Sequence, residues 1–413
     1  MRATCSKGSS VPQNKAMSVI VTNAKNRIAY AIVRSLGEKG IDVYTADFVP
    51  RSMCFASRFS RGHFIYPSPF KDQEGFIDCI IENVHRLKAR VLIPVFEETF
   101  LLSKYKDIVS PHVAMAIPDY DQVLTAHNKD RWMPLAESLG IPVPRTFTAG
   151  ELRNGHLQSS RPRFPVLIKP HQGGGAWGIT HVTTEGELTT LLSGDTYMDR
   201  PWERFSIQEK IAGTVHCVAM LFNHGQLKGH VVYKQLRDLP FTGGQATLRV
   251  SIHSPAAVAH LRRLLEKLNW HGICQADFIV EEGTGIPYLI DINPRFWGSL
   301  VQGIASGVDF PYLVYRMARD GDAEGVDGFK KGVVTRWLWG DLKTLPEALR
   351  CAGDKMGFLR EYCRLFGRGI AFDDFCLKDP LPFLTFGLDF ITKIVKQRTL
   401  HPRSHDSLEG IWE

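Results

Sequence analysis

Asp277, Asp291 and Asn293 fall within one stretch, GICQADFIVEEGTGIPYLIDINPRFWGS, from Gly272 to Ser299. Two carboxylates and an amide oxygen make an all-oxygen donor set. Hard cations prefer such sets, magnesium shared with substrate phosphates above all. Arg295 follows shortly after, a planar cation suited to a phosphate or carboxylate oxygen. The elements needed to position these groups are legible around them. Gly272 to Val280 reads as a strand, Glu281 to Gly285 as a hairpin turn, and Pro287 to Ile292 as the returning strand. Strand alternation puts Asp291 and Asn293 on one face, and the hairpin can lay Asp277 beside them. Asp and Asn also end strands without any chemical duty, here before a helix from Arg295 to Gly307, and the pattern alone admits that too.

A second group of signals lies upstream. Val166 to Lys169 reads as a strand ending in Lys, followed by GGGAWG at Gly173 to Gly178. Gly173, Gly174, Gly175 and Gly178 permit a tight loop whose backbone N–H groups can approach phosphate oxygens. It is not a Walker A loop, because Ile179 and Thr180 follow Gly178 where Lys and Ser/Thr would be needed. A plain structural turn has the same composition. Ser206 to Ile211, SIQEKI, reads as a strand leading into a crossover. There Glu209 is suited to accept from an adenine amino group, and the Ile211 backbone offers the complementary edge. His216, on the next strand, could reach a ribose hydroxyl or be an ordinary strand histidine.

The N-terminal part alternates strand and helix. Ser18 to Thr22 is a strand, the helix after Arg27 runs to about Lys39, and Ile41 to Ala46 is the next strand. His63 to Tyr66, a helix over Gln73 to Leu87, Arg90 to Pro94 and then Val113 to Ile117 continue the pattern. Together they imply a small parallel sheet with helices on both faces. The loop NAKNR lacks the GxGxxG spacing of dinucleotide sites. Glu97 and Glu98 lie just past a strand, where open α/β sheets place ligands. They could orient a substrate amine or simply start a helix.

At 413 residues, with a formal charge of +7 spread along the chain, the composition is globular. It favours anionic small molecules over nucleic acid. Eight cysteines without CxxC or zinc spacing point to a reduced, cytoplasmic protein. Residues 1–17 read as a polar leader, with Met17 as an alternative start, and no uncharged stretch reaches membrane-spanning length.

The order IKP, Gly-rich loop, QEKIAG, Asp-bearing strand and LIDINPRFWGS resembles the ATP-grasp superfamily, over roughly Ser18 to Gly321. It is most similar to the branch of carbamoyl-phosphate synthase-like and biotin carboxylase-like carboxylate–amine ligases. The resemblance implies an N-terminal α/β domain (residues 18–117) and an ATP-grasp domain of two α+β subdomains (118–330). A C-terminal extension (331–413) would follow. It implies ATP with magnesium, or manganese in its place. Lys129 and Lys169 would contact phosphate, and the four glycines would form the flap over it. Glu209 and Ile211 would hold adenine, and His216 the ribose. Asp277, Asp291 and Asn293 would be the metal ligands, with Arg295 near the transferred phosphoryl group. The family pattern usually has Glu at the positions of Asp277 or Asp291, and the shorter side chains put the coordination in question.

The segment Val231 to Ser251 resembles a loop bordering the acceptor pocket, with Lys234 and Arg249 expected to bind phosphate or substrate carboxylate. The aromatic tail, WLWGDL and FDDFCLKDPLPFL, reads as packing segments. Phe383 to Val395 reads as an amphipathic helix for packing or for a subunit contact such as a homodimer, ahead of a membrane face. The expected activity is an ATP- and magnesium-dependent ligase joining a small carboxylic acid to an amine through an acyl phosphate. A bicarbonate-activating carboxylase or carbamoyl-forming enzyme is the first alternative, and a non-catalytic nucleotide-binding scaffold the second.

Overall fold

A computed structural model describes residues 18–153, 161–170, 179–239, 244–351, 353–364 and 369–397. The N-terminal strands form an all-parallel sheet in the order Ser60–Ile65, Val43–Asp47, Ser18–Val21, Ala89–Ile93. The Ser18–Val21 strand is buried along its whole length, as a central parallel strand with both faces covered must be. The helix Arg27–Gly37 is started by Asn26, whose side chain accepts from Ile28 N, and Gln73–Leu87 by Asp72, which accepts from Gly75 N. The strand expected over Val113 to Ile117 is reduced to one parallel bridge between Val91 and Ala114.

A second, antiparallel sheet runs in the order Thr146–Phe147, Phe205–Glu209, Val166–Pro170, Thr180–Val182, over its own small core around Trp202 and Phe205. The third sheet is the frame of the molecule. Its seven strands lie in the order Pro287–Asn293, Gly272–Glu281, Gly213–Asn223, Gln226–Leu239, Gln245–Ser251, Val334–Arg336, Ala371–Phe372. Alternation sends its side chains into two different cores. Val218, Met220, Phe222, Ala276 and Phe278 meet the helix Pro255–Lys267 and Trp132 on one face. Cys217, Ala219, Leu221, Val231 and Tyr233 join a core shared with the N-terminal helix Arg27–Gly37 on the other.

One segment departs from expectation. The helix after the hairpin begins at Leu300, not Arg295, because NPRFWGS is an irregular loop pinned from outside. Arg27 Nε donates to the Gly298 carbonyl at 3.1 Å, and a Cβ on Gly298 would lie 2.6 Å from Arg27 Nη2, so a side chain here would have to displace the guanidinium. The C-terminal extension is part of the folded body, since Val334–Arg336 and Ala371–Phe372 extend the large sheet. The last helix, Leu381–Gln397, packs Phe386 into the shared core and places Gly387 against the Trp339 ring. No helix among the described residues is long and apolar enough to cross a membrane.

Candidate active site

The hairpin forms as its residue pattern requires, with Gly283 and Gly285 at positive φ in the turn. Asp277 and Asp291 are direct cross-strand partners, and Gln275 opposes Asn293. All four side chains therefore rise from one face. Asn293 Nδ2 donates to Gln275 Oε1 at 2.8 Å, and Gln275 Nε2 donates to Asp277 Oδ1 at 2.6 Å. The relay turns the Asn293 amide so that its carbonyl oxygen remains for a ligand. Gln275 was not anticipated, although its place two residues before Asp277 is where a same-face neighbour must stand. Burial, then the nearby Asp291 charge, pushes the Asp277 carboxyl up to about 6. Asp238 is likewise pushed up to about 6 by burial and by Asp277, with a buried oxygen that lacks a hydrogen-bond partner.

Cations enter from two other elements. Lys129, at the start of the helix Lys129–Ser138, donates to Asp291 Oδ1 at 3.1 Å. Lys169, on Val166–Pro170, donates to Gln208 Oε1 at 2.6 Å. Burial and then the Lys129 charge push Lys169 down to about 8. Electrostatic contact of Lys169 with both Lys129 and Asp291 places three separate elements around one point. His127, just before Lys129, is pushed down to about 4 by burial, so it is a neutral ring in this group. Arg295 Nε lies 3.3 Å from Glu97 Oε1, and its guanidinium sits 4.0 Å over the Phe96 ring. The N-terminal domain thus closes one wall of the site.

A divalent cation fits this donor set. Two apposed carboxylates, both part-buried and one of them raised in pKa, repel each other, and a hard cation among oxygen donors removes that repulsion. Asp277, Asp291 and the Asn293 oxygen are the groups that would hold it.

Other expected residues are placed differently. The four loop glycines, Gly173, Gly174, Gly175 and Gly178, lie outside the described residues. Glu209 is buried at the end of its strand, where it accepts from Arg145 Nη1 at 3.2 Å and Arg163 N at 2.9 Å. Ile211 is part-exposed in the crossover that follows. His216 pairs with Lys234 and Phe278, whereas Asp277 pairs with the neighbouring Cys217. His216 and Lys234 therefore project from the opposite face, where His216 Nδ1 lies 3.2 Å from Ser254 Oγ. A cavity of about 320 Å³ lined by His230, Val232, Ser254 and Arg262 belongs to that face as well, away from the paired carboxylates. Arg249 is not brought to the site at all. It is wholly buried, donating to Thr335 Oγ1 at 2.8 Å, to the Ala246 carbonyl and to Asp373.

Residues 126–299 match the ATP-grasp domain family. Over that stretch the chain carries an ATP-grasp domain. Among characterised relatives it is 21% identical over 228 residues to the carbamoyl phosphate synthase arginine-specific large chain of Geobacillus stearothermophilus. That match takes in 53% of this chain and 21% of the relative. The chain spans between about a fifth and a half of the length of the curated ATP-grasp relatives it matches. In fold it resembles the L-amino acid ligase from Bacillus licheniformis, with a TM-score of 0.57, 14% identity and 75% of each chain covered. It also resembles the biotin carboxylase domain of 2-oxoglutarate carboxylase from Hydrogenobacter thermophilus. There the TM-score is 0.60 and identity 14%, over 78% of this chain and 74% of that one. The ATP-grasp arrangement explains why the two lysines and the hairpin carboxylates, remote in sequence, meet between two sheets.

Proposed function

We propose that the chain is an ATP- and magnesium-dependent enzyme that activates a carboxylate-type acid by phosphorylation, for attack by a nitrogen nucleophile. The observation that carries this is the convergence of Lys129, Lys169 and the apposed Asp277 and Asp291 on one point. A carboxylate is a poor electrophile. Transfer of the γ-phosphoryl group of ATP to one of its oxygens forms a mixed anhydride, from which phosphate is then displaced. Such chemistry needs charge stabilisation more than a covalent nucleophile. Lys129 and Lys169 would neutralise phosphate oxygens, and Arg295, half-paired with Glu97, would face the oxygens of the acid. Bound magnesium would supply further neutralisation of the phosphate charge.

Bicarbonate or carbamate is the first choice of acid. It is supported by similarity to a carbamoyl phosphate synthase chain and by the fold shared with a biotin carboxylase domain crystallised with ADP, magnesium and bicarbonate. A small organic acid joined to an amine is the second reading, supported by the fold shared with an L-amino acid ligase. The deciding experiment is phosphate release from magnesium-ATP, with bicarbonate in one arm and pooled organic acids in the other, each with and without amines. Release dependent on bicarbonate selects the first reading, and release dependent on an organic acid selects the second. No ATP turnover in any arm, with ATP bound, would leave a nucleotide-binding scaffold.

A further inference from the structure

The carboxyl ends of the N-terminal parallel strands gather a second set of buried polar side chains. Asn23 follows Ser18–Val21, Asp47 ends Val43–Asp47, Tyr66 follows Ser60–Ile65, and Glu97 and Glu98 follow Ala89–Ile93. Glu98 Oε1 accepts from Asn23 Nδ2 at 2.9 Å and from the Tyr66 hydroxyl at 3.0 Å, which ties three loops together. What remains is one-sided. Among the described residues, Asn23 Oδ1, Glu97 Oε2 and Glu98 Oε2 are all buried with no hydrogen-bond partner, and their residues are 4%, 4% and 0% exposed. Every one of these atoms is an acceptor. Leaving such a group unpaired in the interior is costly, so an acceptor-only cluster calls for a ligand made of donors.

The charge points the same way. Asp47, Glu97 and Glu98 stand here against Lys25 and Arg295, and Asp47 and Glu98 act on each other electrostatically. An anion would be repelled, whereas a primary ammonium brings positive charge and three N–H donors. Location supports this too, because open α/β sheets bind ligands outside the carboxyl ends of their strands. Glu97 also touches Arg295, which joins this cluster to the candidate active site.

We propose that the acceptor cluster of Asn23, Glu97 and Glu98 at these strand ends binds the amino or ammonium group of the nitrogen nucleophile, with Glu97 as its principal contact. This rests on the proposed reaction only for what happens to the amine afterwards. Binding itself needs no ATP. In each protein the thermal midpoint is measured in ethylammonium chloride and in tetramethylammonium chloride at equal ionic strength, the latter having no N–H donor. Wild type should be stabilised more by ethylammonium, and the difference should fall at least tenfold in apparent affinity in Glu97→Gln and Glu97→Ala. Their melts in plain buffer report whether they fold. Equal midpoints in the two salts for wild type overturn the proposal, whatever the variants do, and so does a difference kept in both variants. Calorimetry with a non-hydrolysable ATP analogue runs beside this. Lost ATP binding with the ethylammonium preference intact sinks the proposed reaction and leaves the amine site standing. In turnover, Glu97→Gln should raise the KM for amine far more than it lowers kcat, whereas a merely structural role would move both with stability.

Discussion

Two charge clusters lie on the seven-stranded sheet, one buried and one part-exposed, and they are finished to different degrees. In the C-terminal one, Asp341 accepts both bonds from Arg237 Nη1, at 2.6 and 2.7 Å, and is also bonded by Arg336 and by the Thr247 hydroxyl. Beside it, Asp373 lies between Arg249 and Arg27, and Asp374 accepts the backbone N–H groups of Leu338 and Trp339. Every carboxylate there has a cation or several donors, Asp373 Oδ2 having the Arg27 guanidinium at 3.5 Å in place of a hydrogen bond. In the hairpin cluster, Asp277 faces another carboxylate, and among the described residues Asp238 has an oxygen with neither cation nor donor and Lys169 bonds a neutral amide. The saturated cluster holds segments together. The unsaturated one is arranged for groups that arrive later.

The largest effect should come from breaking the saturated cluster. Asp341→Ala would strand Arg237 and Arg336 in the interior, at a cost of about 3–5 kcal/mol, as expected when one partner of a buried pair is removed. Urea unfolding would read it as a lower midpoint with an unchanged slope. A midpoint like that of wild type would mean that the C-terminal segment is held by its aromatic residues alone.

In the unsaturated cluster the same kind of change should hit turnover instead. Asp291→Asn keeps size but drops charge where phosphoryl negative charge develops, so kcat should fall by roughly 10²–10³. The thermal midpoint should move little, because relieving the repulsion with Asp277 offsets the lost bond from Lys129. A large loss of stability with turnover preserved would invert the comparison.

What the sequence conveyed follows the same division. The shared face of Asp277, Asp291 and Asn293 was legible because strand spacing alone sets it, whereas Lys129 and Lys169 were singled out through the resemblance to ATP-grasp sequences. Arg249 could not be placed. Its role depends on Asp373, 124 positions away, within an aromatic run that reads as ordinary packing. Three acids among those aromatics, Asp373, Asp374 and Asp379, were the available sign, and all three are buried against backbone or arginine. The N-terminal sheet was legible from its βα alternation. The loop nature of NPRFWGS was not, because Arg27 shapes it from 271 residues away.

A smaller effect concerns protons. Lys169 is pushed from 10.5 down to about 8 by burial and by Lys129. Between those values the unfolded chain holds a proton that the folded one has released, so this residue makes stability rise with pH across the window. Phosphate near Lys169 would favour the charged form again. Binding of an ATP analogue should therefore take up protons near pH 8, seen as buffer-dependent heats in calorimetry, and Lys169→Met should abolish the uptake. Heats independent of the buffer in wild type would place the phosphates elsewhere.

The smallest effect is expected where sequence pattern suggested a contact and the register removes it. His216 was suited to a ribose hydroxyl, but its cross-strand partners are Lys234 and Phe278, and Asp277 pairs with Cys217. A one-residue offset in a strand is a change of face. His216 therefore looks toward Ser254 and the start of the helix Pro255–Lys267, across the sheet from the carboxylates. A nucleotide whose phosphates lie between Lys169 and Asp291 reaches His216 only by passing around the strand end. His216→Ala should therefore change the affinity for an ATP analogue by less than about threefold, within the scatter of ordinary half-exposed substitutions. Any fall in melting temperature should appear equally with and without the analogue. A tenfold loss of affinity, absent for a deoxyribose analogue, would put the ribose on the helix side of the sheet. The division of the two faces into one for chemistry and one for packing would then have to be given up.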